Sequence, residues 1–394
     1  MRPATRRTLA LAVAVLVAAG CAGDGGEPSG SAPPPTSTTT QGARAPARDV
    51  TEDQLQAFAD GLVTDTGAEG GIVAWRVGDG EPLVVTAGVA DARTSQAVHP
   101  DDAFHVASIT KSFVAAAALA LEADGVLDLD DPLSDHVDWP GGDAITLRQL
   151  LDQTSGVAGF PNGDADDTAY LGLLQAEPPV TIDQTLAAAR DLPPHAEPGV
   201  ATDYGNLSYV LAGAAIEAAT GDDLRTVLAE RVFEPLGMDT TWYPPQEAGD
   251  AEPLPGLYEA EPGAPLLPST AFDMESWRTV TAPASGAVST VGDLFTWVDT
   301  ALCDQQLGAV DLIPMSDISA GGYGLGVAGV SDDGACVFEG CPDGAEFTRL
   351  ALNGDIPGAS TRVLHDPATD ATLLVYLNRN ALELDAPMLA FLEG

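Results

Sequence analysis

The sequence predicts an α+β fold, an antiparallel β-sheet flanked by helices and carrying a helical insertion. Three observations lead there. Strand-like runs occupy both ends of the region beyond residue 48, and helical patterns fill its middle, the order that a sheet sewn from both chain ends produces. At 394 residues and 45% hydrophobic content, the chain can bury a sizeable core. No segment recurs at a fixed period, which excludes a solenoid.

In chain order, residues 1–20 read as a signal peptide. Arg2, Arg6 and Arg7 precede an apolar run from Leu9 to Ala19, too short to span a bilayer. The run ends in Val17-Ala18-Ala19-Gly20-Cys21, and small residues before a cysteine resemble a lipoprotein processing site with Cys21 acylated. The mature chain is then lipid-anchored outside the cytoplasmic membrane; plain secretion is the alternative. Residues 22–48 hold 17 Gly, Pro, Ser or Thr among 27, so the stretch 21–48 is read as the lipidated cysteine and a disordered tether.

Residues 49–394 form the folded domain. Val50 to Val63 has the pattern of an amphipathic helix. Gly71–Val77, a Gly78-Asp79-Gly80 turn and Leu83–Ala87 predict a hairpin. Ile109–Glu122, rich in alanine, predicts a buried helix ended at Asp124-Gly125. Further helices are expected at Asp183–Arg190, Leu207–Thr220, Leu224–Val232 and Val291–Leu302. Strands are expected at Gly322–Val330, Cys336–Glu339, Phe347–Leu352, Ser360–His365 and Thr372–Asn378, and a last helix at Leu382–Leu392.

Charge removes whole classes of function. With 59 Asp+Glu against 16 Lys+Arg, the formal charge is −43, and nothing here neutralises nucleic-acid phosphates. Fifteen of the sixteen basic residues are Arg, and Lys111 is the single Lys. The histidines are scattered and no C-x-x-C or H-E-x-x-H occurs, so no metal site or cofactor is predicted. Cys336 and Cys341 are close enough in sequence for a small disulfide, with two free thiols as the alternative. Gly324-Leu325-Gly326-Val327-Ala328-Gly329 matches G-x-G-x-x-G, but no helix follows it, so it is read as Gly-rich strand. His105 is expected to pack, and His365 to sit in a surface turn at a strand end.

Ser108-Ile109-Thr110-Lys111 opens the alanine-rich helix, and a spacing of three places Ser108 and Lys111 on one helical face. For Lys111 to act as a base it must be neutral. At the ordinary lysine pKa only about one in a few thousand is neutral at pH 7, so burial has to depress it. Tyr204-Gly205-Asn206 precedes another apolar helix; Tyr204 can shuttle a proton beside Lys111, and Asn206 can hold a substrate carbonyl or amide. Without G-x-S-x-G, an α/β-hydrolase elbow is excluded.

These motifs in this order resemble the serine β-lactamase and DD-peptidase superfamily, in particular its class C β-lactamase-like branch, which includes D-aminopeptidases and serine esterases. Phe104–Lys111 resembles the nucleophile motif. Gly125–Pro132 resembles the segment after its helix. Thr146–Gly156 resembles the L-L-x-H-T-S-G run, with Gln153 where His is usual. Pro198-Gly199 leading to Tyr204-Gly205-Asn206 resembles the Y-x-N motif, and Ala284–Leu294 the approach to the C-terminal helix. The resemblance implies a β-lactamase/transpeptidase-like fold and an acyl-enzyme on Ser108, with Lys111 and Tyr204 exchanging its proton and Asn206 positioning the substrate. For the third motif, K-T-G or H-T-G in the family, the matching stretch is Leu352-Asn353-Gly354-Asp355. Asn353, Gly354 and Asp355 then line the substrate, with the Ser108 and Asp355 N–H groups as oxyanion donors, while Leu352 stands where the family has a cation.

That cation commonly assists binding of a substrate carboxylate. Its loss tilts the expectation to neutral esters, amides or D-amino-acid and peptidoglycan-like peptides. The expected function is an exported serine hydrolase of the class C-like, esterase or DD-peptidase type, related to penicillin-binding proteins. The alternative is a catalytically impaired cell-surface binding protein, of which Leu352 and Gln153 would be the marks. The only membrane contact expected is the lipid at Cys21.

Overall fold

A computed structural model describes residues 46–160, 172–174, 179–259, 264–271, 274–318, 321–331, 345–380 and 383–394. The expected signal peptide, Cys21, the expected tether up to residue 45, and the expected strand Cys336–Glu339 with Cys341 lie outside the described residues.

Seven antiparallel strands make the central sheet. They are β1 (Gly70–Val77), β2 (Leu83–Asp91), β3 (Gln96–Ala97), β4 (Ala328–Ser331), β5 (Phe347–Ile356), β6 (Ala359–Asp366) and β7 (Ala371–Leu377), in the order β4-β5-β6-β7-β1-β2-β3. The C-terminal β7 pairs with the N-terminal β1, Val73 opposite Val375. The chain therefore closes its sheet from both ends, as the element order predicts.

Side chains alternate between two apolar layers, as a pleated strand requires. Ile72, Ala74, Leu374 and Tyr376 face the larger core, and Val73, Trp75, Leu373 and Val375 face the smaller one. The smaller layer is covered by α1 (Glu52–Thr66) and α8 (Asp385–Glu393). Thr51 and Gln54 form a reciprocal capping box at the start of α1. The larger layer holds α2 (Thr110–Ala123), in which every residue from Thr110 to Leu121 is buried. A helix apolar on all sides has to sit inside the core. Around it lie α3 (Leu147–Leu151), α4 (Ile182–Ala189), α5 (Asn206–Thr220), α6 (Leu224–Leu228) and α7 (Val291–Val298). The Trp297 indole on α7, fully buried, donates to Ser112 Oγ on α2 at 2.9 Å and ties the two helices together.

Several elements differ from the expected ones. The helices expected at Leu224–Val232 and Val291–Leu302 finish as wider π turns, at Ala229–Phe233 and Asp299–Asp304. Of the strand expected at Gly322–Val330, only Ala328 onward is strand. The glycines before it serve another purpose. Gly326 has φ +77° and lies so close to α2 that a Cβ would come within 2.7 Å of Ser112 Cα. His365 is also misplaced by the sequence reading: it lies within β6 and is 2% exposed, because the strand continues to Asp366. No helix among the described residues is long and apolar enough to cross a membrane.

Candidate active site

The turn that carries Ser108 is fixed before the helix begins. Phe104 and His105 pair with Ser289 and Val288. Val106 N–H donates to Ala287 O at 3.1 Å, and Thr361 Oγ1 on β6 donates to His105 O at 2.8 Å. Ala107 then takes φ +48°, a left-handed conformation that a residue with a Cβ adopts only at a cost. A short 3₁₀ turn, Ala107–Ile109, leads into α2. His105 packs as expected: burial first, and Arg278 second, push its pKa down to about 3, so the imidazole is neutral.

Lys111 is fully buried, and its ammonium nitrogen meets three groups. Nζ lies 3.0 Å from Ser108 Oγ, 2.9 Å from Asn206 Oδ1 and 3.0 Å from the Ala284 carbonyl. Burial pulls its pKa well below the ordinary lysine value. A neutral amine has two N–H donors and one lone pair. Asn206 Oδ1 and Ala284 O can only accept, so they take the two N–H groups, and the lone pair is left facing the Ser108 hydroxyl. The neutral form thus satisfies every partner and is poised to receive the serine proton.

Tyr204 is half-buried. Its ring lies under Lys111 Nζ, 4.7 Å from nitrogen to centroid, and meets Tyr323 edge-on at 5.5 Å. Tyr209 donates to Leu151 O at 2.7 Å, and burial pushes both Tyr209 and Tyr323 well above the ordinary phenol pKa. Those two stay protonated, and Tyr204, half-buried with its ring against Lys111 Nζ, is the candidate phenol for proton exchange.

Gln153 has a definite role in this site. It is fully buried, with φ +63°. Its side-chain nitrogen donates to Gly205 O at 3.1 Å, and its side-chain oxygen accepts from Gly205 N–H at 2.9 Å. Its own carbonyl accepts from Asp203 N–H at 2.8 Å. One side chain clamps the residue between Tyr204 and Asn206 from both directions, and a primary amide suits this because it offers a donor and an acceptor together.

On the opposite side, β5 approaches Ser108 edge-on. A Cβ at Gly354 would come within 2.2 Å of Val106 O and 2.9 Å of Ser108 N, so only glycine fits. Ile356 and Ala359 flank a two-residue loop and form the hydrogen-bonded pair nearest to it. Antiparallel pairs alternate, so Asp355 N–H turns away from β6, toward the edge that β4 leaves uncovered beyond Ala351. That N–H and the N–H of Ser108 are the two candidate oxyanion donors.

The side chains of this strand are directed elsewhere. Leu352 is 2% exposed and belongs to the larger core. Asn353 lies on the other face, lining a small cavity with Arg362 and Met388. Arg362 Nη2 pairs with Asp355 Oδ2 at 2.6 Å, and its Nη1 donates to Gly354 O at 2.9 Å. Arg349 pairs with Glu393 of α8 at 3.2 Å. Neither arginine replaces the cation that Leu352 lacks.

The structure therefore brings Ser108, Lys111, Tyr204, Asn206, Gly354 and Asp355 to one place. The Ala284 carbonyl, Gln153 and Tyr323 complete it, and the sequence had not marked them as partners. The fold and this arrangement define a serine hydrolase fold of the β-lactamase and DD-peptidase kind. The family model described as Beta-lactamase matches residues 55–393, and the chain belongs to that family. A D-stereospecific amidohydrolase from a Streptomyces species is 25% identical, with a TM-score of 0.68 over 84% of this chain and 95% of that one. The D-amino acid amidase of Ochrobactrum anthropi SV3, 24% identical, shares the fold at a TM-score of 0.70, over 86% of this chain and 96% of that one. Unguisins hydrolase ungD of Aspergillus violaceofuscus is 27% identical over 231 residues, covering 54% of this chain and 38% of that protein. The chain spans half or less of the length of the curated relatives that it matches.

Proposed function

We propose that this protein is a serine hydrolase that works through an acyl-enzyme on Ser108. The observation that carries the reading is the Lys111 amine, buried and 3.0 Å from Ser108 Oγ, with its other two partners able only to accept. Lys111 takes the Ser108 proton as Oγ attacks a substrate carbonyl. The tetrahedral oxyanion is held by the N–H groups of Ser108 and Asp355. The proton passes by way of Tyr204 to the leaving alcohol or amine. Water then attacks the ester, with Tyr204 as base, and frees Ser108.

The substrates proposed are neutral esters or amides of D-amino acids and short peptides. Supporting this are buried Leu352 in place of a cation, Arg362 engaged by Asp355, and the D-amino-acid-directed names of structural neighbours. The Gln153 clamp supports turnover over the binding-protein alternative, because it maintains the Tyr204–Asn206 geometry. We further propose that the protein acts outside the cytoplasmic membrane, anchored through acylated Cys21; the Arg-flanked apolar run and the tether after it support this. Fluorophosphonate labelling, mapped by mass spectrometry, tests the central reading. Ser108 should be the labelled residue and Ser108→Ala should abolish the signal. Well-folded protein that takes no label would overturn it.

A further inference from the structure

At the far end of β6 from the Ser108 turn, three side chains from distant parts of the chain converge. Cys303 lies in the π turn that continues α7, His365 on β6, and Asp370 in the turn before β7. One ligand atom from each lies within 4.8 Å of the others. Cys303 Sγ is 3.9 Å from His365 Nε2 and 3.9 Å from Asp370 Oδ1. The set is built rather than accidental in two respects. His365 is buried, and its Nδ1 is held 3.0 Å from Thr372 Oγ1, which aims Nε2 at the sulfur. Asp370 is kept in a left-handed conformation, φ +61°, by two backbone bonds of 2.8 Å, from its N–H to Asp366 O and from Gly78 N–H to its own carbonyl.

We propose that Cys303, His365 and Asp370 form a tetrahedral site for a divalent transition-metal ion of the zinc type, with water as the fourth ligand. Thiolate, imidazole and carboxylate are the donors that such an ion prefers, at about 2.3 Å for sulfur and 2.0–2.2 Å for nitrogen and oxygen. Those lengths at a tetrahedral angle put sulfur about 3.6 Å from nitrogen. The observed sulfur–nitrogen separation of 3.9 Å is a few tenths of an ångström longer, and the imidazole and carboxylate, within 4.8 Å, draw in on binding. One thiolate and one carboxylate neutralise a dication, and the thiol proton leaves to solvent on binding. With Thr372 Oγ1 accepting from Nδ1–H, the Nε2 lone pair is left for the ion. A cysteine nucleophile fits less well, because Nδ1 is held by a hydroxyl where a relay would place a carboxylate. Cys303 and Asp370 are each partly exposed, so an ion can enter. A bound ion would pin the end of α7 to the β6–β7 hairpin, a structural role distant from Ser108.

Cobalt(II) titration of the full-length protein tests this, since a cobalt–thiolate bond absorbs in the near ultraviolet and tetrahedral cobalt gives intense visible bands. One equivalent should saturate the signal. Cys303→Ala should abolish it, and Asp370→Asn should weaken binding at least tenfold. A Cys336→Ala/Cys341→Ala double variant should bind as wild type does. Zinc should raise the melting temperature of wild type but not of Cys303→Ala, each confirmed folded by circular dichroism. No saturable signal, a signal that survives in Cys303→Ala, or one lost with Cys336 and Cys341 would overturn the proposal.

Discussion

On one side of Ser108, helices α2 and α5 present Lys111 and Asn206, with the Lys111 amine partnered by Ser108, Asn206 Oδ1 and the Ala284 carbonyl. On the other side, β5 offers backbone alone: Gly354 abuts the nucleophile turn, Leu352 is sunk in the core, and Asp355 is occupied with Arg362. In the proposed mechanism proton chemistry belongs to the helical wall: burial favours the neutral Lys111 amine, and the fixed acceptors around it direct its lone pair. In the same proposal the strand wall holds the oxyanion and sets which substrate charges are accepted. The two walls therefore fail in different ways when altered.

The largest effect is expected on the helical wall. Lys111→Met keeps the length and apolar fill of the side chain and removes the base. Turnover of an ester substrate should fall by about 10²–10⁴-fold with the circular dichroism spectrum unchanged. A loss of only a few-fold would take the proton-transfer role from Lys111.

The strand wall should show itself in substrate charge, not in rate alone. A free D-amino-acid peptide and its methyl ester differ only in a carboxylate. Without a cation at Leu352 the carboxylate is desolvated with no charged partner, which costs about 1–3 kcal/mol. The ester should therefore be preferred by roughly ten- to a hundredfold in kcat/KM. Equal rates would show that another cation reads the carboxylate.

The smallest effect tests what joins the walls to the rest of the fold. Gln153→Leu frees the Gly205 N–H and carbonyl that the side chain now satisfies. Acylation of Ser108 should slow by about tenfold, through misplacement of Tyr204 and Asn206 rather than loss of a reacting group. Gln153→His, the residue usual in the resembling family, should restore most of the rate. A Leu variant as fast as wild type would leave the clamp without a part in catalysis.

Much of the helical wall was legible from sequence because its chemistry follows local spacing. Ser108 and Lys111 are one helical turn apart, and a lone lysine among fifteen arginines draws attention to itself. Sheet closure from both ends was legible for a similar reason, since strand patterns are local. What stayed hidden depends on contacts between distant segments. The Ala284 carbonyl has no sequence signature, because every residue has a carbonyl. Gln153 could be seen only as a departure, and its clamp on Gly205 spans 52 residues. The Gly-rich run before Ala328 read as strand, yet its glycine at 326 is there to touch α2. His365 read as a surface residue because Asp366-Pro367 signals a turn, but the strand runs on to Asp366 and buries the ring.

The proposed mechanism requires a Lys111 that is neutral when the serine is attacked, and the rate of Ser108 acylation by an uncharged fluorophosphonate, followed against pH, tests this most directly. Burial lowers the Lys111 pKa, so the amine is neutral at every pH above that lowered value. The rate should rise as pH climbs through it and reach a plateau well below pH 10.5, the ordinary lysine value, and Lys111→Met should lack this rise. A rate that climbs steadily to pH 10.5, or a Met variant with the same profile as wild type, would contradict it.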